Sequence, residues 1–428
     1  MRLTITSVAY LGSGIARTAE GMVVFVPGSL PGETVEATIV KRAKRFMVAS
    51  VDEILEASPD RIKPDCRLPS GVQVPGCVYD HASYSCELRL KAAQLQDFLR
   101  PVSLGFATSA NPVPSDNSAN PVNDVNGVTP VNDVIGVNAV TGVNPTNPLP
   151  PSSWRPYRNK MVLHYRRGAL GYVGEDNQTI IDIAYCPLSL PQINYELARV
   201  RASEHFRNGD KLTIRYTSLD GAVSWVNNPP PDLRHLREKT AIGPMLVPTD
   251  GFFQINPFVS RELVRQVTDW AKQGGEKEVL DLYCGVGVFA LHAMLQAGFI
   301  KATGIESGRH AVAAAEENAR AFCVAPGATF ICSDAVEAAR QGFFLRDLSH
   351  TLVIVDPPRM GLGRPVSEAL RDSGAPRIIY VSCDPATLAR DLRVILRGGY
   401  AIEAVRMFDM FPRTAHFETA VLLRRNSQ

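Results

Sequence analysis

The stretch Val279-Leu280-Asp281-Leu282-Tyr283-Cys284-Gly285-Val286-Gly287-Val288-Phe289-Ala290-Leu291 decides the fold. An apolar run ends in an acidic residue, crosses two glycines one residue apart, and continues into Phe289-Ala290-Leu291-His292-Ala293-Met294-Leu295, which predicts a helix. Strand, tight turn and helix make one unit of a parallel α/β sheet. The turn falls at the carboxyl end of the strand, where glycines let a ligand approach the backbone. A nucleotide-like cofactor is therefore the first expectation.

Asp281-x-x-x-Gly285-x-Gly287 is not the dinucleotide fingerprint, because Ala290 stands where the third glycine belongs. The next strand, Lys301-Ala302-Thr303-Gly304-Ile305-Glu306, ends in an acid placed for ribose hydroxyls. Together these segments resemble the S-adenosylmethionine site of class I methyltransferases. A plain buried βαβ unit carries the same signature, so the rest of the chain has to discriminate.

The chain has 428 residues, room for roughly two or three domains. Its hydrophobic fraction of 45% suffices for a full core, and its net charge of +2 announces no nucleic-acid partner by itself. Local clusters carry more information, notably Lys41-Arg42-Ala43-Lys44-Arg45 and the run from Arg155 to Arg167. No apolar run approaches the about 20 residues of a membrane span, and the N-terminus lacks a signal-peptide pattern, so a cytoplasmic protein is expected. The cysteines are Cys66, Cys77, Cys86, Cys186, Cys284, Cys323, Cys332 and Cys383. In a reducing compartment they are expected to be metal ligands, nucleophiles or buried hydrophobes rather than disulfides.

Residues 1–58 alternate short apolar runs with glycine turns, as in Val23-Val24-Phe25-Val26-Pro27-Gly28, which predicts a small OB-like β-barrel. Gly12-Ser13-Gly14-Ile15-Ala16, Val24 to Gly28 and Leu30-Pro31-Gly32-Glu33 resemble the TRAM domain of RNA-modifying enzymes. The cluster from Lys41 to Arg45 would then supply phosphate contacts.

Residues 59–106 hold Cys66, Pro75-Gly76-Cys77 and an amphipathic helix from about Ser85 to Leu99. This segment resembles the cysteine-rich part of the RNA uracil-5 methyltransferases, which implies a [4Fe-4S] cluster on Cys66, Cys77 and Cys186. Val74 stands where the family has a further cysteine. Either Cys86 substitutes for it or the segment has kept the fold without the cluster, or with another metal.

Residues 107–152 nearly repeat Pro121-Val122-Asn123-Asp124-Val125 as Pro130-Val131-Asn132-Asp133-Val134, and are expected to be a disordered insertion. Residues 153–240 read as a small central β domain entered through Trp154-Arg155-Pro156-Tyr157-Arg158, an arginine-rich strand that the resemblance places beside the RNA groove.

Residues 241–428 form the expected Rossmann-like methyltransferase domain. By resemblance, Gln254 in Gly251-Phe252-Phe253-Gln254 contacts the methionine end of the cofactor. Asp281, Tyr283, Gly285 and Gly287 form the cofactor turn, with Glu306 on the ribose. Asp334, after the strand Ala328-Thr329-Phe330-Ile331-Cys332, meets the adenine. Leu352-Val353-Ile354-Val355-Asp356-Pro357-Pro358-Arg359 brings Asp356 to the same rim, where successive prolines stiffen the loop. Arg377 to Ser382 delivers Cys383 at another strand end, before a helix whose N-terminal dipole is expected to lower the thiol pKa. The last strand, Ala415 to Leu423, carries Glu418 among apolar neighbours, where a raised pKa suits a proton acceptor.

Across nearly its whole length the chain thus resembles the RNA uracil-5 methyltransferase family. The resemblance implies a monomer that uses S-adenosylmethionine to methylate a uridine of transfer or ribosomal RNA. Cys383 would be the nucleophile, Glu418 the base, and Asp356 the group orienting base or cofactor. An RNA cytosine-5 methyltransferase is the first rival, but it would carry a second cysteine beside the Asp356 strand. The other rival, a non-catalytic RNA-binding protein on the same fold, would not need both Cys383 and Glu418.

Overall fold

A computed structural model of the chain describes residues 1–107, 145–146, 156–174, 176–343 and 347–426. The expected insertion lies almost wholly outside these residues, as do Trp154 and Arg155.

The C-terminal sheet positions the candidate site. Its main strands are Glu278–Leu282 (β1), Lys301–Glu306 (β2), Ala328–Cys332 (β3), Thr351–Val355 (β4), Arg377–Ser382 (β5), Tyr400–Phe408 (β6) and Glu418–Arg425 (β7). They lie in the order β3-β2-β1-β4-β5-β7-β6. Strands β1 to β5 run parallel, while β7 runs antiparallel to both β5 and β6. The strand order reverses beside β1, between β1 and β4, which makes the carboxyl edge there the natural ligand crevice. The strands are apolar at successive residues because helices cover both faces; all of β4 and β5 is buried. The expected strand from Ala415 begins instead at Glu418, leaving Ala415 to Phe417 in the preceding loop.

The N-terminal strands form one sheet of six around Leu3, Ile5, Ala16, Val24, Val26, Val35, Ala37, Met47 and Ala49. A single sheet that encloses its own core has to curl into a barrel. The central piece is a five-stranded antiparallel sheet backed by the helix Pro191–Ser203. A hairpin, His235–Thr240 with Gly243–Pro248, straddles residue 240 and leads into the C-terminal domain.

The barrel and the C-terminal sheet are joined through the helix Tyr84–Ala107. Lys91 Nζ on this helix donates to Glu87 Oε1 at 2.6 Å and to Asp409 Oδ1 at 2.7 Å, with all three side chains fully buried. Tyr84 donates to the other oxygen of Asp409 at 2.7 Å. Arg413 donates to Glu87, to Asp65 and to the carbonyls of Tyr79 and Ala82. Asp409 and Arg413 belong to the loop that connects β6 to β7. Burial alone would depress the Lys91 pKa, but Asp409 and Glu87 hold it above its usual range. Lys91→Met would leave two buried carboxylates short of a cation. A loss of about 3 to 5 kcal/mol is expected from urea unfolding; an unchanged midpoint would contradict the assignment.

Candidate active site

The turn after β1 is built on positive φ angles. Tyr283 lies at φ 62°, Gly285 at 53° and Gly287 at 83°. For a tyrosine this left-handed conformation is strained, and such strain concentrates where ligands bind. A Cβ on Gly287 would come within 2.9 Å of Phe330, so the helix Val288–Ala297 can start there only from glycine. A Cβ on Gly285 would meet nothing within 4 Å, which leaves that side of the turn open.

Asp281 is fully buried beneath the turn. Its Oδ2 accepts from Ala290 N at 3.0 Å, and its Oδ1 has no partner. Burial pushes its carboxyl up to about 8, against the pull of the Ala290 N–H. It braces the loop through one oxygen and keeps the other unpartnered beneath the turn. Glu306, at the end of β2, accepts from Gly285 N at 3.2 Å and from Gly308 N at 2.7 Å. Asp334 is exposed and uses one oxygen to cap the helix Ala335–Arg340. Its charge acts on Tyr283, which puts both on one rim. Gln254 occupies the loop before the helix Pro257–Lys272, its carbonyl held by Asn159 Nδ2 at 3.2 Å. An open glycine face, an unpartnered buried carboxyl oxygen and acids at the ends of β2 and β3 fit an adenosine-bearing cofactor.

A second cluster lies along the same edge. Because β7 is antiparallel to β5, the pairing of Ser382 with Thr419 brings Glu418 beside Cys383. Asp356 follows β4, the other neighbour of β5. Cys383 is half-buried, and burial, Glu418 and Asp356 push its thiol up to about 12, with Arg359 opposing. The expected lowering by the helix dipole is therefore reversed. Burial is the first cause, with the carboxyls of Glu418 and Asp356 beside the thiol adding to it; Asp384 Oδ1 meanwhile caps the helix, accepting from Ala386 N at 3.0 Å and Thr387 N at 2.9 Å. Glu418 is buried with Oε2 unpartnered, and burial together with Asp356 holds its carboxyl well above the ordinary range. Burial raises Asp356 as well.

The loop after Asp356 is tied down by the helix Pro385–Ile395: Asp391 accepts from Leu362 N at 2.8 Å and Arg390 donates to Met360 O at 2.7 Å. Arg359 was visible in the sequence only as the fourth residue of Asp-Pro-Pro-Arg, yet it is the cation acting on both Cys383 and Glu418. Tyr10, from the barrel, donates to Asp384 Oδ2 at 3.4 Å. No sequence signal links it to a site so distant along the chain.

The cysteine segment departs from expectation. A turn at Leu68 to Val72 folds the chain back, and Cys66 and Cys77 are joined in a disulfide. Val74 is buried in the same apolar cluster as these two and Cys186. The Cys186 thiol accepts from Tyr172 at 3.3 Å. Cys86 packs in a different cluster and does not replace the missing ligand. Among the described residues no group of three or more His, Cys, Asp or Glu side chains could hold a metal. The donors present do not fit a four-thiolate cluster.

The arginine-rich entry strand is not one exposed track either. Arg158 Nε is buried and its guanidinium faces Tyr157, Tyr172 and Cys186, whereas Arg166 and Arg167 are exposed. Lys41, Arg42, Lys44 and Arg45 are exposed at a hairpin end of the barrel. Among the described residues no helix is long and apolar enough to cross a membrane.

Comparison with known proteins agrees with this geometry. Residues 245–426 match the tRNA (Uracil-5-)-methyltransferase family, and residues 1–51 match the TRAM domain. The chain is 32% identical to an uncharacterized RNA methyltransferase of Streptomyces coelicolor, over 97% of this chain and 91% of that protein. It is 28% identical to another from Halalkalibacterium halodurans, over 99% and 96% respectively. The fold matches the Pyrococcus abyssi tRNA (uracil-54, C5)-methyltransferase in complex with S-adenosyl-L-homocysteine, with TM-score 0.68, 23% identity, and coverage of 99% of this chain and 100% of that one. The chain belongs to the S-adenosylmethionine-dependent RNA uracil-5 methyltransferase family, with a TRAM domain preceding its catalytic domain.

Proposed function

We propose that the chain methylates C5 of a uridine in a loop of transfer or ribosomal RNA through a covalent adduct on Cys383. The observation that carries this reading is the antiparallel placement of Glu418 beside Cys383, with Asp356 on the adjoining strand end. C5 of uracil is too weak a nucleophile to take a methyl group directly. Addition of the Cys383 thiolate to C6 moves the C5–C6 electron pair toward O4 and makes C5 enolate-like. S-adenosylmethionine, when bound by Gln254, Tyr283, Gly285, Gly287, Glu306 and Asp334, supplies an electrophilic methyl on a sulfonium. Glu418 then removes the C5 proton, and the returning electrons expel Cys383 from C6. Asp356 orients the base, and Arg359 offsets the negative charge that builds between Cys383 and Glu418.

The base must leave its stack to reach this edge. Phe252 and Met360, 79% and 81% exposed, sit on the loops of Gln254 and Asp356 and offer apolar faces to unstacked bases. No step is assigned to an iron–sulfur cluster.

RNA containing 5-fluorouridine tests the reading, because fluorine cannot leave as a cation. With S-adenosylmethionine the parent should stall as an adduct that survives denaturation, and Cys383→Ala should form none. On ordinary RNA, Glu418→Gln should accumulate the methylated adduct and lose turnover by about a hundredfold or more. A parent that binds cofactor and RNA yet forms no adduct would remove the mechanism.

The pH profile has a defined sign. Cys383 attacks as the thiolate, and burial with Glu418 and Asp356 pushes its thiol up to about 12, so in the free protein it is mainly protonated at neutrality. Adduct formation should accelerate from pH 7 to 9, by at most about tenfold per unit for the one proton that Cys383 loses. A flat or falling profile would contradict this assignment of roles.

A further inference from the structure

The barrel does more than precede the catalytic domain, because one of its side chains enters the nucleophile's loop. Tyr10 lies in the loop Ala9 to Gly12, which is held from two sides. Gln94, buried on the helix Tyr84–Ala107, donates to Ala9 O at 3.1 Å and to the Tyr79 hydroxyl at 2.9 Å. On the other side, a Cβ on Gly12 would come within 2.5 Å of Val78, so the loop is pressed against the cysteine segment. The Tyr10 ring meets Phe98 edge-on at 5.6 Å and Phe417, the neighbour of Glu418, at 6.3 Å. Its hydroxyl donates to Asp384 Oδ2, the carboxylate oxygen left over after Oδ1 caps the helix that follows Cys383.

We infer that Tyr10 is a positioning residue for the methyl-transfer site, fixing the Cys383 loop through Asp384 and the Glu418 strand through Phe417. The inference rests on the reading of Cys383 as nucleophile. With Oδ1 engaged by the helix and Oδ2 by Tyr10, Asp384 has a defined orientation, and so does the backbone beside Cys383. A displacement of about 1 Å at a reacting group is enough to cost orders of magnitude in rate. Burial and Asp384 both push the Tyr10 hydroxyl upward in pKa, so it stays a donor at neutral pH. RNA held by the barrel would therefore meet a nucleophile whose geometry the same barrel sets.

The test measures single-turnover adduct formation on 5-fluorouridine RNA with the full chain, alongside RNA affinity and thermal midpoint. Tyr10→Phe keeps both ring contacts and removes only the hydroxyl. Asp384→Ser keeps a capping oxygen but cannot reach Tyr10. Each single variant should slow the adduct about tenfold, the kinetic equivalent of one hydrogen bond to a charged group, with RNA affinity within about twofold of the parent. The double variant should be no slower than the slower single one, since both remove the same contact. A Tyr10→Phe rate equal to the parent's, or fully additive losses in the double variant, would overturn the inference while leaving the covalent mechanism standing. If the parent itself forms no adduct, the nucleophile reading falls and takes this inference with it.

Discussion

A buried set of charges, Lys91 with Glu87 and Asp409, and Arg413 with Glu87, is the constraint on which the architecture depends. Ions removed from water at this depth are tolerable only when each finds close partners. Here the partners come from opposite ends of the chain: Lys91 and Asp409 are 318 residues apart. The helix therefore cannot dock in a shifted position without stranding a charge. The loop it grips is the one that ends at Glu418, the first residue of β7.

The candidate site shows the opposite physics. Asp281 and Glu418 each keep a buried oxygen without a partner, and Tyr283 holds a strained backbone. Carboxyls raised by burial bind protons more tightly in the folded chain than in the unfolded one, so their ionisation opposes folding as pH rises. Such features persist where rigid surroundings impose them. The covered sheet and the charge network supply that rigidity.

Much of this was legible in the sequence, for a local reason. A buried parallel strand is a continuous apolar run, and the residue that breaks it marks the carboxyl edge of the sheet. Leu282, Glu306, Val355 and Ser382 end their strands, so the rim carrying Tyr283, Asp356 and Cys383 is located by the sequence alone. What local pattern could not reveal depends on docking. The upward pKa of the Cys383 thiol comes from burial and from Glu418 and Asp356, which only the folded sheet brings beside it. The closure of Cys66 on Cys77 needs the turn between them. Arg158 reads as a surface cation in a basic run and is instead packed against Tyr157 and Tyr172. Tyr10 belongs to a barrel motif that carries no trace of the Asp384 loop 374 residues away.

The central claim is that a hydrogen on uracil C5 is exchanged for a methyl group. RNA carrying tritium at uracil C5, incubated with S-adenosylmethionine labelled with carbon-14 in its methyl, tests it directly. The account predicts that tritium appears in water in one-to-one proportion to methyl groups gained by the RNA. Methyl incorporation without tritium release would place the methyl elsewhere on the RNA and contradict the account.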